Sequence, residues 1–572
     1  MAENVLYYGD NLEILRRYVK DETVDLVYLD PPFNSNQDYN VLFAERDGAQ
    51  SAAQFQAFSD TWRWDENSAR IYEETVEKAG NVGRALQAMK DLLGSNDLMA
   101  YLSMMAPRLI ELRRVLKRTG SLYLHCDPTA SHYLKVLLDA TFGPKNFRTE
   151  IVWKRQSAHN DAKQGRRLHG RIHDTILFYT VSDDYTWNPV FIPYDERQLE
   201  TAYRWAEGPE GQVVHLKRGE EAREGWRRFS LGDLTGPGGV ARGSPEYELL
   251  GVTRAWRFSR EKMEAMVREG RVVQTAPGNV PMQKRYLDEM PGVVAQDIWT
   301  DLKLLGAQAA ERLGYPTQKP EALLGRIIET STNPGDLVLD PFCGCGTTIA
   351  AAQKLGRKWV GIDVTHLAIT LIRSRLADSF GKDAQFTVLG EPTDIAGARD
   401  LAAQDRYQFQ LWALGKVGAR PKSSDFKKGA DQGIDGRAPF HEKEGGRTRT
   451  IIVQVKSGHV SSRDVRDLRG TLEREKAQIG ALLTLEEPSE PMVKEAADAG
   501  FYQPEYRLSP EERYAKIQIL TVADLLAGKD VQAPRYRNVS FRQAPVSVRL
   551  TPKPRGRIRK LSEHSEDAAL DP

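Results

Sequence analysis

Residues 24–33 read Val-Asp-Leu-Val-Tyr-Leu-Asp-Pro-Pro-Phe. The apolar run at 24–29 predicts a buried strand, so Asp30 stands at the carboxyl end of that strand, where open α/β sheets bind their ligands. The two prolines stiffen the turn, and Phe33 offers a flat face for stacking. The stretch predicts a pocket for a planar group bearing an NH2, with Asp30 and the Pro31 carbonyl accepting its hydrogens. An Asp-Pro-Pro turn that only closes the strand is the alternative.

The composition is that of an ordinary soluble protein. The 572 residues are 40% hydrophobic and 28% charged, which predicts two or three globular domains. No stretch has the pattern of a signal peptide or reaches about 18 apolar residues, so we expect a cytoplasmic protein with no membrane partner. Three cysteines are too few for a disulfide framework. The net charge of +1 neither indicates nor excludes a nucleic-acid partner.

Strand and helix patterns alternate along the first part of the chain. We predict strands at 4–8, 24–29 and 121–125, and helices at 12–19, 98–116 and 130–142. Such βαβ units are typical of a parallel sheet covered by helices. Residues 41–96 lose this alternation and predict a largely helical insertion.

Basic and aromatic residues dominate the middle of the chain. Basic side chains crowd residues 154–171, between predicted strands at 150–153 and 175–179, and residues 187–301 are irregular and rich in Gly, Arg, Trp and Tyr. This combination suits phosphate contacts and base stacking, so we interpret the long segment as a substrate-recognition insertion. For the short basic run a solvated loop is the alternative.

A second informative stretch follows. Residues 315–320 read Tyr-Pro-Thr-Gln-Lys-Pro, and a predicted strand at 337–340 leads directly into Pro-Phe-Cys-Gly-Cys-Gly-Thr-Thr and a helix. Strand, glycine loop and helix form a cradle for a cofactor. The next predicted strand ends in Asp363, roughly 20 residues past the loop, where an acid binds ribose hydroxyls. The third glycine of the dinucleotide pattern is missing, so we expect a nucleoside with a non-phosphate tail.

These motifs, in this order, resemble the β-class amino methyltransferases of DNA, including the modification subunits of restriction systems, over residues 1 to about 380. The resemblance implies a Rossmann-like α/β fold in permuted order that uses S-adenosylmethionine and acts on double-stranded DNA. The catalytic residues that it implies are Asp30, Pro31, Pro32 and Phe33. The cofactor-binding residues that it implies are Asp10 near the adenine, Thr317 and Lys319 near the methionine end, Asp340, Phe342, Gly344, Gly346, and Asp363 at the ribose.

The residue patterns and the family resemblance lead to the same mechanism. A base would be flipped out of the duplex into the pocket, and its amino nitrogen would attack the sulfonium methyl directly, aided by positioning and electrostatics. Asp rather than Ser before the two prolines favours adenine N6 over cytosine N4 in the resembling family. Cytosine C5 methylation is disfavoured because none of the cysteines follows a proline. The alternatives of another class are methylation of an amide or amine in protein or RNA, and a non-catalytic DNA-binding protein.

The last third of the chain carries a different motif. Asp435 precedes a predicted strand at 450–456 that contains Gln454 and Lys456, which is the spacing of a divalent-metal nuclease site. This region resembles the Mrr-like restriction endonucleases over roughly residues 400–525. The resemblance implies that Asp435 binds Mg2+ and that Lys456 orients water. The family's glutamate is missing, since Gln408 and Gln410 stand in the likeliest places, so an inactive nuclease fold that binds DNA is the alternative.

The predicted division of the chain follows from these motifs. Double-stranded DNA is the expected partner, and a homodimer and a separate restriction subunit are both left open. The predicted parts are a methyltransferase catalytic part at 1–185, a target-recognition insertion at 186–305, a cofactor-binding part at 306–385, a smaller α/β nuclease-fold domain at 395–535, and a disordered basic tail at 545–572.

Overall fold

The computed structural model describes residues 4–32, 64–156, 167, 169–305, 311, 318–421, 434–442, 448–506 and 511–534. Phe33, Thr317, the predicted tail at 545–572 and part of the predicted helical insertion lie outside these residues. Within the described ranges, no helix is both long and apolar enough to cross a membrane.

The first part of the chain alternates strands and helices as predicted. All six residues of the second strand are buried, as befits a central strand of a parallel sheet covered on both faces. The elements are β1 (Asn4–Tyr8), α1 (Asn11–Tyr18), β2 (Val24–Leu29), α2 (Glu66–Lys78), α3 (Gly80–Leu93), α4 (Asp97–Val115), β3 (Leu116–Cys126), α5 (Ser131–Phe142), β4 (Phe147–Lys154) and β5 (His173–Thr180).

The segment that we expected to be irregular contains many short strands. Its elements are β6 (Phe191–Ile192), α6 (Glu196–Ala202), β7 (Trp205–Glu207), β8 (Val213–His215), β9 (Arg227–Asp233), β10 (Glu246–Leu249), β11 (Val252–Ala255), α7 (Arg260–Arg268), β12 (Val272–Val273), β13 (Met282–Tyr286), β14 (Val293–Val294) and β15 (Ile298–Trp299). Five of them form an antiparallel sheet in the order β12-β13-β9-β7-β8. The expectation was wrong here because strands of two to seven residues show little periodicity.

The third part supplies the predicted cofactor-binding elements. They are α8 (Glu321–Ser331), β16 (Leu337–Asp340), α9 (Thr347–Lys354), β17 (Lys358–Asp363), α10 (His366–Phe380) and β18 (Phe386–Leu389). The predicted strand at 337–340 is confirmed with the same bounds.

The nine strands of the large sheet lie in the order β15-β4-β5-β3-β2-β16-β17-β1-β18. Strands β3, β2, β16, β17, β1 and β18 pair in parallel, whereas β5 is antiparallel to both β3 and β4. The late strands β16 and β17 are thus inserted between two strands from the start of the chain. This arrangement is a Rossmann-like sheet in permuted order.

Two hydrophobic cores cover the two faces of this sheet. Because neighbouring residues of a strand point to opposite faces, Val27 and Leu29 belong to one core while Leu26 and Tyr28 belong to the other. Helices α1, α4 and α5 cover the first face, and α8, α9 and α10 cover the second. The result is a three-layer α/β architecture.

The last part forms a smaller α/β unit. Its sheet has the order β19-β20-β21-β22-β25. Its elements are α11 (Ile395–Gln404), α12 (Arg406–Lys416), β19 (Arg420–Pro421), β20 (Gly436–Phe440), β21 (Arg449–Lys456), α13 (Ser462–Glu475), β22 (Ile479–Thr484), α14 (Glu490–Asp498), β23 (Phe501–Tyr502), β24 (Tyr514–Ala515), β25 (Ile517–Thr521) and α15 (Val522–Leu526).

The apolar pattern of residues 396–414 by itself predicts one helix, but the structure has two. Asp405 has an extended backbone, with φ −151° and ψ 100°, and its carboxylate accepts hydrogen bonds from the N–H groups of Tyr407 and Gln408. An aspartate in this conformation ends one helix and caps the next. The apolar pattern continues through the break and therefore hides it.

Candidate active site at the carboxyl edge of the sheet

Four aspartates lie at the carboxyl ends of four neighbouring strands. Asp30 follows β2, Asp340 ends β16, Asp363 ends β17, and Asp10 follows β1 by two residues. The strands are parallel and adjacent in the order β2-β16-β17-β1, so their carboxyl ends meet at one edge, where ligands of open α/β sheets bind. The structure thereby brings together four carboxylates that lie far apart in the sequence.

Lys319 lies beside the predicted catalytic carboxylate. Its Nζ atom is 2.5 Å from Oδ2 of Asp30, and the two side chains are only 15% and 18% exposed. The family resemblance had assigned Lys319 to the methionine end of the cofactor. In the structure its ammonium group pairs with Asp30, so its charge acts directly on the residue expected to hold the substrate amino group, and its predicted role at the cofactor stays a prediction.

Asp340 is the buried carboxylate of this edge. Its Oδ1 atom accepts a hydrogen bond from the N–H group of Phe342 at 3.0 Å. Burial, together with the charges of Asp30 and Asp363, raises the pKa of Asp340 to about 7 although hydrogen bonds from Thr348 and Phe342 favour ionisation. A carboxylate held in this way gains strongly from a nearby cation.

The glycine loop between β16 and α9 adopts left-handed conformations. Gly344 has φ +49° and Gly346 has φ +73°, which only glycine adopts readily. A Cβ atom on Gly346 would lie 2.6 Å from Cγ1 of Ile372 in α10. Gly346 therefore permits close packing of the loop on α10, and its predicted contact with the cofactor stays a prediction.

Asp363 holds this loop from the neighbouring strand. Its Oδ2 atom accepts a hydrogen bond from Gly344 N–H at 2.9 Å, and its Oδ1 atom accepts two from Thr365, also at 2.9 Å. Burial raises the pKa of Asp363 against these hydrogen bonds. Asp363 is half-buried, and its carboxylate oxygens are acceptors of the kind that a ribose hydroxyl requires.

Asp10 has a structural role that sequence analysis missed. It caps α1 through hydrogen bonds from Leu12 and Glu13, and its Oδ2 atom is 2.6 Å from the buried guanidinium of Arg108. Arg108 also donates to the side chain of Asn11 at 2.6 Å.

Asn11 in turn donates to the carbonyl of Pro341 at 2.8 Å and so joins α1 to the glycine loop. The signal for this network in the sequence was Arg108, a charged residue inside the apolar pattern of α4.

A buried polar chain runs beneath the site and was also missed. The Tyr28 hydroxyl lies 2.9 Å from Nδ1 of His125, and Nε2 of His125 lies 3.0 Å from Asp174. Burial alone would raise the pKa of Asp174, but the hydrogen bond from His125 and the charge of Arg155, 3.1 Å away, lower it. The chain of contacts crosses the ends of β2, β3, β5 and β4 and links β2 to Arg155, directly after β4.

These residues fit S-adenosylmethionine. Asp340 offers a buried carboxylate to a cationic centre, Asp363 offers an acceptor to a ribose hydroxyl, and the loop of Gly344 and Gly346 leads into the N-terminus of α9. Phe342 lies between Asp340 and the first of these glycines, with its N–H on the Asp340 carboxylate. Phe33 and Thr317 lie outside the described residues, so their predicted roles stay predictions.

The predicted nuclease residues engage other parts of the C-terminal unit. Asp435 accepts a hydrogen bond from Val455 N–H at 2.7 Å, and Nζ of Lys456 lies 3.1 Å from Asp464 at the start of α13. Gln454 is buried in β21. Over the described residues, no group of three or more His, Cys, Asp or Glu side chains could hold a metal ion. The Mg2+ site predicted at Asp435 is therefore not supported.

Two family models match the chain. Residues 24–374 match the model described as DNA methylase. Residues 410–527 match the model described as NACHT-associated inactive Restriction Endonuclease 1. The two matches do not overlap, and residues 375–409 between them hold the end of α10, β18, α11 and the start of α12.

Known proteins similar to the chain cover about two thirds of its length. It is 27% identical over 411 residues to the Type II methyltransferase M.EcaI of Enterobacter cloacae, covering 71% of this chain and 76% of that protein. It is 24% identical over 406 residues to the Type III restriction-modification enzyme StyLTI Mod subunit of Salmonella typhimurium, covering 68% of this chain and 56% of the subunit. A Thermus thermophilus protein described as a DNA modification methylase, solved with S-adenosyl-L-methionine, aligns over 68% of this chain and 100% of its own, with 14% identity and a TM-score of 0.31.

Proposed function

Since the chain belongs to the DNA methylase family over residues 24–374, we propose that it methylates N6 of an adenine flipped out of double-stranded DNA, using S-adenosylmethionine. The observation that carries this proposal is the pairing of β2 with β16. Asp30 would hold the amino group at the end of one strand, and Asp340 and the glycine loop would hold the cofactor at the end of the next. Neighbouring strand ends let the two reactants meet.

The residues of the chain would act mainly by positioning and electrostatics. When bound, S-adenosylmethionine supplies a methyl group on a positively charged sulfur. Asp30 and the Pro31 carbonyl would accept the two amino hydrogens, which directs the nitrogen lone pair away from the ring. Lys319 holds one oxygen of Asp30, so the orientation of that carboxylate is set before the base arrives. Pro32 stiffens the turn, and Phe33 would stack on the flipped base.

Adenine is favoured over cytosine by one feature of the sequence. An aspartate rather than a serine precedes Pro31 and Pro32, and in the resembling family this is the commoner adenine signature. Mass spectrometry of nucleosides from product DNA tests the assignment. N6-methyladenine is expected, and N4-methylcytosine without N6-methyladenine would overturn the choice of base while leaving the methyl transfer intact.

The role of Asp30 is tested with purified protein, duplex DNA and labelled cofactor. Asp30→Ala should abolish transfer while cofactor affinity measured by calorimetry stays close to that of the wild type. Asp91→Ala on the exposed surface of α3 is the matched control and should transfer normally. Full activity of Asp30→Ala would refute the proposed role.

For the C-terminal unit we propose a DNA-binding role without cleavage. Asp435 is bonded to the backbone of β21, Lys456 is paired with Asp464, and the matching family is described as inactive. Purified protein with Mg2+ should leave unmethylated DNA intact, with and without S-adenosylmethionine. Cleavage that Lys456→Ala removes, while methylation persists, would instead support the Asp435 metal site and a combined modification and restriction enzyme.

A partner is also proposed. The similarity to the Mod subunit of a Type III restriction-modification enzyme supports association with a separate restriction subunit, and a homodimer stays a prediction. Sedimentation of the purified chain at several concentrations measures self-association. Co-purification from cells that make the protein naturally identifies a partner. A monomer that co-purifies with no nuclease subunit would contradict both.

A further inference from the structure

A buried hydrogen bond joins the C-terminal unit to α10, the helix that follows Asp363. Gln408 in α12 is 6% exposed, and its Oε1 atom accepts a hydrogen bond from the backbone N–H of His366 at 3.2 Å. His366 is the first residue of α10, and its N–H is one of those that a helix N-terminus leaves without an intrahelical partner. Gln408 therefore caps α10 from a different part of the chain.

The contact between α10 and α12, called the seam below, is closely packed along both helices. A Cβ atom on Gly415 of α12 would lie 2.4 Å from Oγ1 of Thr370 in α10, so only a glycine lets the helices approach this closely. Glu391 lies between them and pairs with Arg373 of α10 at 2.7 Å and with Lys416 of α12 at 3.3 Å. The two helices are thus held together by packing, by an ion-pair bridge and by the Gln408 cap.

The seam lies directly behind Asp363. Thr365, the residue before His366, donates two hydrogen bonds to the carboxylate of Asp363. The His366 ring is fully buried and stacks on Tyr8 with ring centroids 3.7 Å apart. Tyr8 precedes Gly9, whose N–H donates to the backbone carbonyl of Asp363 at 2.9 Å. A shift of His366 would therefore move Thr365 directly and Gly9 through Tyr8, and both Thr365 and Gly9 donate hydrogen bonds to Asp363.

We propose that Gln408 is a positioning residue for the binding of S-adenosylmethionine. Gln408 acts on Asp363 through His366 and Thr365. The inference rests on the proposed function, because it assumes that Asp363 binds the ribose of the cofactor. It gives α12, the second helix of the C-terminal unit, a part in the methyltransferase site. It also gives a use to a glutamine that stands near the position where a nuclease of the resembling family has its glutamate.

The coupling should be reciprocal. If α12 favours cofactor binding, the bound cofactor must stabilise the seam by the same factor. Hydrogen exchange of the full chain, followed by mass spectrometry, should therefore slow in peptides of α12 when S-adenosylmethionine is added. Peptides of α13, which packs on the face of the C-terminal sheet opposite α12, should exchange at an unchanged rate.

The direct test uses three variants of the full chain. Gln408→Met keeps the size of the side chain but removes the acceptor, Gln408→Glu keeps an acceptor, and Gln410→Met changes the neighbouring glutamine of the same helix as the control. Loss of one buried hydrogen bond should weaken cofactor affinity about fivefold or more in Gln408→Met. KM for S-adenosylmethionine should rise with it, while kcat and KM for DNA stay close to wild type.

Gln408→Glu should recover most of the affinity, and Gln410→Met should behave as the wild type. Wild-type cofactor affinity in a folded Gln408→Met would overturn the inference. If Gln408→Met does not fold, unchanged exchange of α12 in the wild type on cofactor binding would overturn it instead. A wild-type chain that binds no S-adenosylmethionine would refute the proposed function itself, so the two failures are distinguishable.

Discussion

Lys319 and Asp340 set the charge of the site at the scale of single residues. Lys319 places a cation against Asp30, whereas Asp340 is a buried carboxylate whose pKa is raised to about 7 by burial and by two neighbouring aspartates. Under the proposed function, Lys319 orients the carboxylate that accepts the substrate amino group, and Asp340 lies where it would face the cationic cofactor. The two residues therefore predict separable effects on catalysis and on cofactor binding.

Lys319→Gln should lower kcat by about a hundredfold, because a catalytic carboxylate displaced by roughly 1 Å loses that much rate. Cofactor affinity should change little, since the ammonium group contacts Asp30. Methyl transfer under saturating substrates and calorimetry with S-adenosylmethionine measure the two effects. Lys354→Gln, which alters an exposed pair with Glu321, is the control. Normal kcat with lost cofactor binding would support instead the role at the cofactor that the resemblance implies for Lys319.

Binding of S-adenosylmethionine near pH 7 should release about half a proton from Asp340. The raised pKa means that this carboxyl is partly protonated in the free protein, and a cationic ligand favours its ionised form. Affinity should therefore rise as pH increases from about 6 to 8. Calorimetry in buffers of different ionisation enthalpy measures the protons released. Asp340→Asn should remove this release, exposed Asp91→Asn should not, and equal release by both variants would contradict the assignment.

At the scale of elements, the site depends on connections between strand ends and helix starts. Tyr28, His125 and Asp174 form a chain of hydrogen bonds across β2, β3 and β5, and Asn11 joins α1 to the loop after β16. Such buried networks are rigid when every member is satisfied. The glycine loop shows the same dependence, because Gly346 packs against α10.

Gly346→Ala should weaken cofactor binding and lower the melting temperature more than Gly356→Ala. Both glycines have φ near +70°, so each substitution brings backbone strain of about 1 kcal/mol. Only a Cβ on Gly346 meets a neighbour, Ile372, while Gly356 faces open space. Overpacking adds about 1–3 kcal/mol at Gly346. Thermal unfolding compares the two, and Gly346→Ala combined with Ile372→Ala should lose less stability than the sum of the two single variants. Equal losses in both single variants would count against the packing role.

At the scale of the whole molecule, the two units share a seam rather than a loose linker. Glu391 bridges Arg373 and Lys416 across it. Burial would raise the pKa of Glu391, but the contact with His366 and the charges of Arg373 and Lys416 lower it to about 2. Residues that share such a seam should show coupled effects, whereas substitutions in separate domains would add.

Glu391→Gln should destabilise the protein by about 2 kcal/mol at pH 7, because it leaves Arg373 and Lys416 without their shared counter-charge. The folded pKa lies below the unfolded value near 4.5, so this contribution is complete above about pH 5 and shrinks as pH falls toward 2. Urea unfolding at pH 7 and pH 4 measures the change. The exposed Glu77→Gln is the control, and a loss that does not diminish in acid would exclude the ion-pair explanation.

The sequence by itself determined the elements that carry the site. Strands at 24–29 and 337–340 have the predicted bounds, because a short apolar run between a polar turn and a glycine or proline has few other stable conformations. The order of the two motifs predicted the permuted sheet, and aspartates at strand ends predicted its ligand-binding edge. The short strands at 187–301 and the break at Asp405 escaped prediction, because neither interrupts a strong local pattern.

Only the tertiary structure decided which side chains meet. Lys319 reaches Asp30 across 289 positions, Arg108 reaches Asp10 across 98, and Gln408 caps α10 from beyond the methylase match. Local patterns record whether a residue is buried or exposed, but they do not record its neighbours in space. Those neighbours follow from the order of strands in the sheet and from the packing of helices on its two faces, which form only when the whole chain folds.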